Sequence, residues 1–545
     1  MAKLQALDGF DDEVQVLVVG AGPVGLTLAC ELLRHGVKCR VLDAGNGPTP
    51  VAESRALGIQ ARSLEVFDDV GISGELTSRG HPLTSIDLYA GQRRLTRFDF
   101  AFDGLGTCYP YLLILSQGET ERVLVERLRA LGGCVEWNCR LQELRQDEHR
   151  VTAVVQSNDG ATHECPASYL VGCDGAHSQV RHCLSLAFEG AAYEELFLLA
   201  DVEIDWPLSP KQAHILITAD GLAPAIPLAD GKGWRLIDAT GVSDAREEEQ
   251  ILERFRRLLA ESPFPQATIR RVIWTSAFRI HRRVVDRMHV GRCFVAGDAA
   301  HLHSPVGGQG MNTGIQDAYN LAWKLAHVVY GFADERLLKS YDDERLPVAK
   351  AVIRNTDRAT RMVTLRSRPL RALRNLVASN IAGWVPLRRR ITRGISQLGI
   401  AYRRGALAYE AGEGHRANGV RPGARLPNVA LSANASGARL YEYLSIVRYT
   451  LLILPVDDSG VQSAGGLVTA VRERLRDLIE CCVVVSVGSS AEFGNDIDVI
   501  RDDKAVRVLA GRRNRCLLVR PDKHVALGVN EIAVEPMIGF LRENG

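Results

Sequence analysis

The segment of residues 14–43 constrains the fold of this chain most strongly. Residues 14–20 form an apolar, β-branched run of strand length, as expected of a parallel strand that is buried on both faces. The run leads into the motif Gly-Ala-Gly-Pro-Val-Gly, a segment with helical apolar spacing, and a second apolar run that ends at Asp43. This order of strand, glycine turn, helix and strand predicts a Rossmann-like dinucleotide-binding unit.

The three glycines of the motif have separate physical roles. We expect Gly20 to allow a tight turn, Gly22 to let a diphosphate approach the backbone, and Gly25 to let helix and strand pack closely. The helix N-terminus supplies free N–H groups and a partial positive charge to the diphosphate. Asp43 can accept hydrogen bonds from ribose hydroxyls and would repel a 2′-phosphate. The motif therefore favours FAD or NAD over NADP, and it does not choose between the first two.

Two later segments place an acid directly after an apolar strand. Residues 169–173 lead into Asp174 and then Arg181, and residues 292–296 lead into Asp298. A glycine-rich loop follows Asp298 and enters a helix, whose N-terminus would suit the N1/C2=O edge of a reduced flavin, where negative charge accumulates. These segments favour FAD as the bound dinucleotide.

Together the three segments resemble the flavoprotein aromatic hydroxylases, the family of p-hydroxybenzoate hydroxylase and phenol hydroxylase. GAGPVG matches the nucleotide motif of the family, CDGAHSQVR its D-G motif, and GDAAHLHSPVGGQGMNTGIQD its G-D motif; SRALGIQARSLEVFDDVG and YDDERLPVA are also similar. The resemblance implies non-covalent FAD, with NAD(P)H as a transient co-substrate, and O2 and a small aromatic molecule as the other substrates.

The resemblance also implies a reaction, the hydroxylation of a phenolic or polycyclic aromatic substrate through a C4a-hydroperoxyflavin. Baeyer–Villiger oxidation or epoxidation by the same chemistry stays open as an alternative. A flavin halogenase should show W-x-W-x-I-P, which the segment PAIPLADGKGWRLI does not supply. Because the flavin carries the chemistry, we assign no catalytic base.

Motif positions assign the candidate site residues. The predicted cofactor contacts are Gly20, Gly22, Pro23, Val24, Gly25, Asp43, Arg55, Gln117, Asp174, Arg181, Asp298, Pro305, Gly310, Met311 and Asn312. Of these, Asp174 and Arg181 also lie on the expected path of the pyridine nucleotide, and Pro305 is expected beside the ring. The candidate substrate residues are Tyr109, Tyr111, His214, Trp234 and Arg235. For each of the substrate residues, packing in or on a sheet is the alternative interpretation.

Four polar residues of these segments have ordinary explanations at this stage. Arg181 can pair with Asp174 across a turn, and Asp317 is explained by the dipole of the helix that follows the glycine-rich loop. His301 and His303 lack a third ligand, so no metal site is expected.

The order of motifs predicts an α/β protein of several domains. An FAD-binding domain covers residues 1–188 and 280–357, a substrate-binding sheet covers 189–279 with a small insertion at about 81–102, and an Arg-rich helical segment covers 358–418. Residues 419–545 resemble the thioredoxin-like tail of the phenol and polyketide hydroxylases. The tail lacks C-x-x-C, because Cys481 and Cys482 are adjacent in a predicted strand and point to opposite faces. A structural or homodimer role is left for it.

Net charge and the distribution of apolar residues bear on nucleic-acid binding, secretion and membrane insertion. The formal net charge of the 545 residues is +1, which gives no overall attraction to nucleic acid. The first 13 residues lack the pattern of a secretory signal, and no apolar run reaches the roughly 18 residues of a membrane span. We therefore expect a cytoplasmic enzyme. Residues 358–409 hold twelve arginines and no acid. Two interpretations are open: a basic surface that binds anionic lipid or an acidic carrier protein, or helices that cover the FAD domain or a subunit interface.

Overall fold

Helices and strands alternate along the chain as the α/β prediction requires. The computed structural model describes residues 14–53, 56–90, 93–218, 222–238, 240, 243–305, 307–363, 367, 369–370, 384–403, 405–411, 419–431, 438–494 and 497–544. Its strands, in chain order, are β1 (Val14–Val19), β2 (Cys39–Leu42), β3 (Gly58–Ile59), β4 (His81–Leu83), β5 (Ser85–Ala90), β6 (Arg93–Asp99), β7 (Leu112–Ile114), β8 (Val135–Glu136), β9 (Arg140–Gln146), β10 (Val151–Gln156), β11 (Thr162–Gly172), β12 (Phe188–Asp205), β13 (Ala213–Ile217), β14 (Leu222–Pro227), β15 (Gly233–Asp238), β16 (Thr268–Val285), β17 (His289–Val290), β18 (Cys293–Val295), β19 (His301–Leu302), β20 (Tyr409–Ala411), β21 (Tyr449–Leu454), β22 (Ile479–Val485), β23 (Asp498–Arg501), β24 (Arg515–Val519) and β25 (Val525–Val529). Its helices are α1 (Pro23–Arg34), α2 (Ala61–Val70), α3 (Ser73–Arg79), α4 (Gln117–Ala130), α5 (Gln179–Cys183), α6 (Glu248–Ala260), α7 (Gly310–Val329), α8 (Arg336–Val363), α9 (Val385–Ile395), α10 (Asp458–Leu475), α11 (Asp503–Leu509) and α12 (Glu535–Asn544).

The first sheet is built around the strand of the glycine motif. β1 lies between β2 and β11 and is parallel to both, and β18 extends the parallel order beyond β11. Residues 16–19 of β1 are buried, as expected of a central parallel strand that is covered on both faces. Helix α1 packs against α4 and α7. The carboxyl ends of β1, β11 and β18 therefore bring the three motif turns to one edge of this sheet.

The second sheet has the order β19-β16-β12-β15-β14-β13-β5-β6. Strands β5 and β6, from the predicted insertion, pair with β13 and with each other. Helix α6 covers one face, where its apolar side chains pack against alternate residues of β12, β14 and β15. Residues of the other face, including Ala213, pack against Leu57, Leu83 and Ile114 of the region around β3, β4 and β7. One face of the second sheet is thus turned toward the region around β3, β4 and β7.

The third sheet belongs to the C-terminal tail and has the order β20-β25-β24-β21-β22-β23. Helices α10 and α12 pack on one of its faces, together with Trp323 and Leu337 of α7 and α8, while α11 packs on the other. The tail is therefore an α/β unit docked directly on α7 and α8. Strand β20 lies before residue 419, where composition placed the start of the tail.

The two adjacent cysteines of β22 lie as the period of a strand requires. Cys481 packs on the α10 face and Cys482 is buried on the α11 face. Burial raises the pKa of the Cys481 thiol to about 11, so its reactive thiolate form is disfavoured at neutral pH. All twelve cysteines of the chain are free.

We expect the double variant Cys481→Ser, Cys482→Ser to keep product formation within a few fold of the wild type. Because Cys482 is 1 % exposed, its replacement buries a hydroxyl and should lower the free energy of unfolding by about 1–3 kcal/mol. Product formation and thermal unfolding measured on the same preparation separate the two effects. Loss of product formation with a normal FAD content would reveal a thiol function.

No described helix has both the length and the apolar character needed to cross a membrane.

Candidate active site

The glycine turn leaves room for a ligand at one of its three glycines. A Cβ atom on Gly20, which has φ +104°, would lie 2.4 Å from the carbonyl oxygen of Cys173, and one on Gly25 would lie 1.9 Å from that of Gly20. No described atom comes within 4 Å of a Cβ built on Gly22, the residue that precedes α1. Packing therefore requires Gly20 and Gly25 to be glycine, while Gly22 borders open space at a helix N-terminus. This arrangement fits a diphosphate.

Asp43 lies beside this turn at the end of β2. Its Oδ2 atom accepts a hydrogen bond from the N–H of Ala21 (2.6 Å) and its Oδ1 atom one from the N–H of Gly45 (2.7 Å). An ionised carboxylate has about four acceptor positions. Asp43 is only half-buried, so positions remain for ribose hydroxyls.

Asp298 occupies the turn after β18. Its side chain is exposed, yet burial by the surrounding protein raises the pKa of its carboxyl. Such a carboxylate is open to a ligand although protein surrounds its other sides. The neighbouring Gly297 and Gly314 are close-packed, since a Cβ on either would meet Val24 Cγ2 at 2.8 or 2.5 Å. The first and third motifs therefore meet at Val24.

The loop before α7 is held by side-chain amides. Gln60 Nε2 donates to Gly307 O (2.9 Å), and Asn312 Nδ2 donates to Gly308 O (2.7 Å). Asn312 also accepts from the Gln60 N–H (2.8 Å). Because a trans peptide points its carbonyl and its N–H in opposite directions, the N–H of Gln309 points away from the Asn312 amide. Both carbonyls are thus turned toward the side-chain amides, and the N–H of Gln309, the residue before α7, points away from them.

Gly310 and Met311 form the first turn of α7, and Pro305, at the other end of the loop, is exposed. The side chain of Asn312 is 0 % exposed and its amide is used within the protein. This leaves the backbone of the first turn as the part of Asn312 that can meet a ring. An N-terminus at this place fits the electron-rich edge of a flavin.

Asp317 is the centre of a buried ion network. Its Oδ1 atom accepts from Arg345 Nε (2.7 Å), and its Oδ2 atom accepts from His301 Nε2 (2.7 Å) and the Gly297 N–H (3.1 Å). Burial alone would raise the pKa of Asp317, but Arg345 and His301 lower it below its ordinary value. The helix-dipole interpretation of Asp317 is therefore wrong, because the residue lies two turns inside α7 and pairs with Arg345. The network holds the turn that carries Asp298.

The D-G turn is fixed by its own hydrogen bonds. Asp174 Oδ2 accepts from the N–H groups of Gln179 (2.7 Å) and Val180 (3.1 Å) at the start of α5. Arg181 donates to the carbonyl oxygens of Ala299 (3.0 Å) and Ala176 (2.9 Å). The guanidinium therefore joins the D-G turn to the G-D turn, and pairing with Asp174 is not its main contact.

Comparisons with known proteins agree with this geometry. The sequence model of a family described as "FAD binding domain" matches residues 13–356. The chain is 40 % identical over 455 residues to 6-methylpretetramide 4-monooxygenase of Streptomyces rimosus, covering 82 % of this chain and 80 % of that protein. It is 32 % identical over 524 residues to pentachlorophenol 4-monooxygenase of Sphingobium chlorophenolicum, covering 95 % and 94 %. The chain belongs to this FAD-binding family.

A solved structure shares the fold of this chain. The crystal structure of the flavin-dependent monooxygenase PieE in complex with FAD and substrate superimposes with a TM-score of 0.79 at 24 % identity, covering 98 % of this chain and 100 % of that one. The predicted α/β class with a Rossmann-like FAD domain is confirmed. The protein is an FAD-dependent monooxygenase.

Of the predicted contacts Gln117 and Arg55, the structure describes the first. Gln117 is the first residue of α4, and its Nε2 atom donates to Glu121 Oε1 (2.8 Å). Glu121 in turn accepts from the Thr49 N–H (2.6 Å). Arg55 lies outside the described residues.

The candidate substrate residues separate onto two faces of the second sheet. His214 and Trp234 are buried among residues that pack toward α6, with ring centroids 5.6 Å apart, and His214 Nε2 bonds Ser209 O (2.9 Å). Arg235 points to the opposite face, where Asp201 accepts from its Nε (2.8 Å) and Nη2 (2.7 Å). His214 and Trp234 therefore do not line the space beside the FAD domain, whereas Arg235 lies on the face turned to it.

The two tyrosines pack against the core of the FAD-binding region. Tyr109 donates its hydroxyl to Asp68 Oδ1 (2.7 Å) and lies edge-on to Tyr111, with ring centroids 6.3 Å apart. Their observed contacts are structural.

Sequence reasoning assigned no role to the residues that hold the loops. Gln60, Gln309 and Arg345 all lie inside the segments that resemble the family. Their place in those segments is the signal from which a role at the site could have been predicted. Among the described residues, no group of His, Cys, Asp or Glu is arranged to hold a metal ion.

Proposed function

We propose that the monooxygenase hydroxylates a phenolic or polycyclic aromatic compound bound between the second sheet and the flavin. The proposal rests on one row of side chains in the second sheet. Ile226, Arg235, Asp201 and Trp274 are direct neighbours across β14, β15, β12 and β16. Strands lie about 4.8 Å apart, so the row spans roughly 14 Å, a width that suits several fused rings.

The chemistry of this row suits an aromatic ligand with few charges. Arg235 and Asp201 are 3 % and 4 % exposed and neutralise each other. Trp274 is half-buried, with its ring centroid 6.0 Å from the Arg235 guanidinium carbon. Phe197 and Phe278 form a neighbouring cross-strand pair with ring centroids 6.3 Å apart. The two relatives named above are called monooxygenases of 6-methylpretetramide and pentachlorophenol, which supports a phenolic substrate.

The residues of the three turns would hold the FAD. Gly22 and the N-terminus of α1 face its diphosphate, Asp43 its ribose, Asp298 its ribitol, and Gly310 and Met311 its ring. The flavin, when bound, accepts hydride from NAD(P)H and activates O2. The protein's part is to orient the ring, to exclude water and to present the aromatic carbon.

The approach of NAD(P)H is assigned to the side of the D-G turn. Arg181 and Arg283 lie against the same ring, with guanidinium carbons 4.0 and 5.9 Å from the centroid of Phe188. Burial, and secondarily the like charge of Arg283, lower the pKa of Arg181. Two neighbouring cations of this kind favour an anion such as the dinucleotide diphosphate.

The reaction is tested by turnover under labelled O2 with phenols of one to four rings, following NAD(P)H loss and product mass together. We expect one labelled oxygen atom on an aromatic carbon, with faster NAD(P)H oxidation when a substrate is present. A labelled ester or lactone oxygen would move the enzyme to Baeyer–Villiger oxidation. Peroxide as the sole product with every phenol would contradict the proposed substrate class.

A matched pair of tryptophan variants tests the place of the substrate. Trp274→Leu should raise KM for a multi-ring phenol, because it removes the ring from the row described above. Trp206→Leu is the control, since Trp206 packs on the α6 side against Trp234 with ring centroids 4.8 Å apart. Equal effects of the two variants on KM would show that the assigned face is wrong.

We also infer that the enzyme works in the cytoplasm. The use of NAD(P)H and the free state of all twelve cysteines support a reducing compartment.

A further inference from the structure

The residue that follows helix α9 has an unusual backbone conformation. Gln397 has φ +60° and lies next to Ser396, at the C-terminal end of the helix. A left-handed residue is common directly after a helix, but this position normally holds Gly, or sometimes Asn, because a Cβ atom is strained there. Gln397 is nevertheless 2 % exposed. Strain of this kind persists where the surroundings hold the residue for another reason.

The side-chain amide of Gln397 supplies that reason. Its Nε2 atom donates to Gln309 Oε1 (2.8 Å) and to Thr313 Oγ1 (3.1 Å). Its Oε1 atom accepts a hydrogen bond from Gln316 Nε2. All three partners belong to α7 or to the residue that precedes it, and all are buried. The amide therefore joins the end of α9 to the start of α7.

Gln309 passes this restraint to the loop. Its Nε2 atom donates to Gly307 O (2.8 Å) and to Ile395 O (3.0 Å), so its Oε1 atom is turned to Gln397. With both hydrogen atoms of Gln309 directed to carbonyls and its oxygen to Gln397, the amide has one orientation. Gly307 O is the same oxygen that Gln60 holds. The carbonyl of Gly307 is thus fixed inward from two sides.

We propose that Gln397 is a positioning residue for the FAD: it sets the shape of the loop over residues 307–310, which leads into the first turn of α7, where the flavin ring is assigned. The residue lies beyond the range 13–356 that matches the FAD-binding family. The segment after the family match therefore completes the flavin site from outside. The inference depends on the FAD assignment and not on the identity of the aromatic substrate.

The competing explanation is that Gln397 only ends α9. Glycine would serve that purpose better, because it adopts φ +60° without strain. The two explanations therefore make opposite predictions for Gln397→Gly.

We expect Gln397→Gly to fold, because the relief of backbone strain offsets part of the cost of leaving Gln309, Thr313 and Gln316 without their partner. It should bind FAD roughly tenfold more weakly, because each lost amide hydrogen bond is worth about fivefold in an equilibrium constant. The visible absorbance and reduction potential of the bound flavin should also shift. Equilibrium dialysis with FAD, absorbance spectra and reductive titration measure these effects without any substrate.

Ser185→Gly is the matched control. Ser185 also follows a helix, α5, with φ +51°, and it is exposed. Ser185→Gly should gain stability through the same relief of strain, and it should leave the Kd for FAD and the flavin spectrum unchanged. Gln397→Asn, which tolerates the same backbone but is one methylene shorter, should reproduce the weaker FAD binding.

A Gln397→Gly protein with the Kd, spectrum and reduction potential of the wild type would overturn the proposal. Failure of both Gln397 variants to fold would also overturn it, because the amide would then support the fold and not the flavin loop.

Discussion

Gly22→Val is expected to give a folded protein that has lost FAD. Gly22 has φ −73° and ψ −178°, which valine adopts without strain. No described atom lies within 4 Å of the new Cβ, so the side chain enters the space assigned to the diphosphate. We expect affinity for FAD to fall by at least about 100-fold, equivalent to roughly 3 kcal/mol. Flavin absorbance of the purified protein and the Kd for added FAD measure the loss.

Two other glycines provide the controls. Gly74→Val, on the exposed side of α3 where a Cβ also meets no described atom within 4 Å, should leave FAD binding unchanged. Gly25→Val should fail to fold, because its Cβ would lie 1.9 Å from Gly20 O. A Gly22→Val protein that binds FAD as the wild type does would remove the basis for placing the diphosphate at this turn.

The glycine turn could be predicted because its signals are local. The strand, the turn, the helix and Asp43 all lie within 30 residues of one another, and each residue has a role set by backbone geometry. The same holds for Cys481 and Cys482, whose opposite faces follow from the period of a strand.

The contacts that hold the site could not be predicted in this way. Arg345 and Asp317 are 28 residues apart, Gln397 and Gln309 are 88 apart, and Arg520 and Glu344 are 176 apart. These ion pairs and amide hydrogen bonds form only if distant segments are placed to within a few tenths of an ångström. No local sequence pattern encodes that placement. Asp317 shows the consequence: its local sequence indicates only an interaction with the helix dipole, whereas its partner is Arg345.

One error among the candidate substrate residues could have been avoided. Trp234 and Arg235 are adjacent in a strand, so alternation places them on opposite faces and only one can line a given pocket. The sequence alone does not tell which face α6 covers. The packing of α6 against Trp234 settles that choice.

A second buried ion network joins the tail to the FAD-binding region. Glu344 Oε2 accepts from Lys324 Nζ (2.8 Å) and Arg520 Nη2 (3.0 Å), and Arg520 also pairs with Asp522. The side chains of these four residues are no more than 1 % exposed. Two cations and two anions balance each other. Removing one of the two negative charges would leave a buried cation without a counter-charge in the interface.

Glu344→Gln is therefore expected to lower the free energy of unfolding by about 3–5 kcal/mol. The glutamine keeps the shape of the side chain but leaves Lys324 and Arg520 with Asp522 alone. Urea unfolding at neutral pH measures the effect. Glu75→Gln is the control, because Glu75 forms an exposed pair with Arg79 and should cost less than about 1 kcal/mol.

The pH dependence of this difference tests its electrostatic origin. Burial opposes the ionised form of Glu344, but Arg520 and Lys324 outweigh it and lower the pKa of the carboxyl from 4.5 to about 2. A depressed pKa in the folded state stabilises the protein fully above the unfolded pKa, and this contribution is lost as pH falls from 4.5 toward 2. The shift corresponds to about 3 kcal/mol. The gap between wild type and Glu344→Gln should therefore be largest near neutral pH and shrink steadily in acid. A gap that stays constant down to about pH 3 would mean that lost packing, and not the charge of Glu344, destabilises the variant.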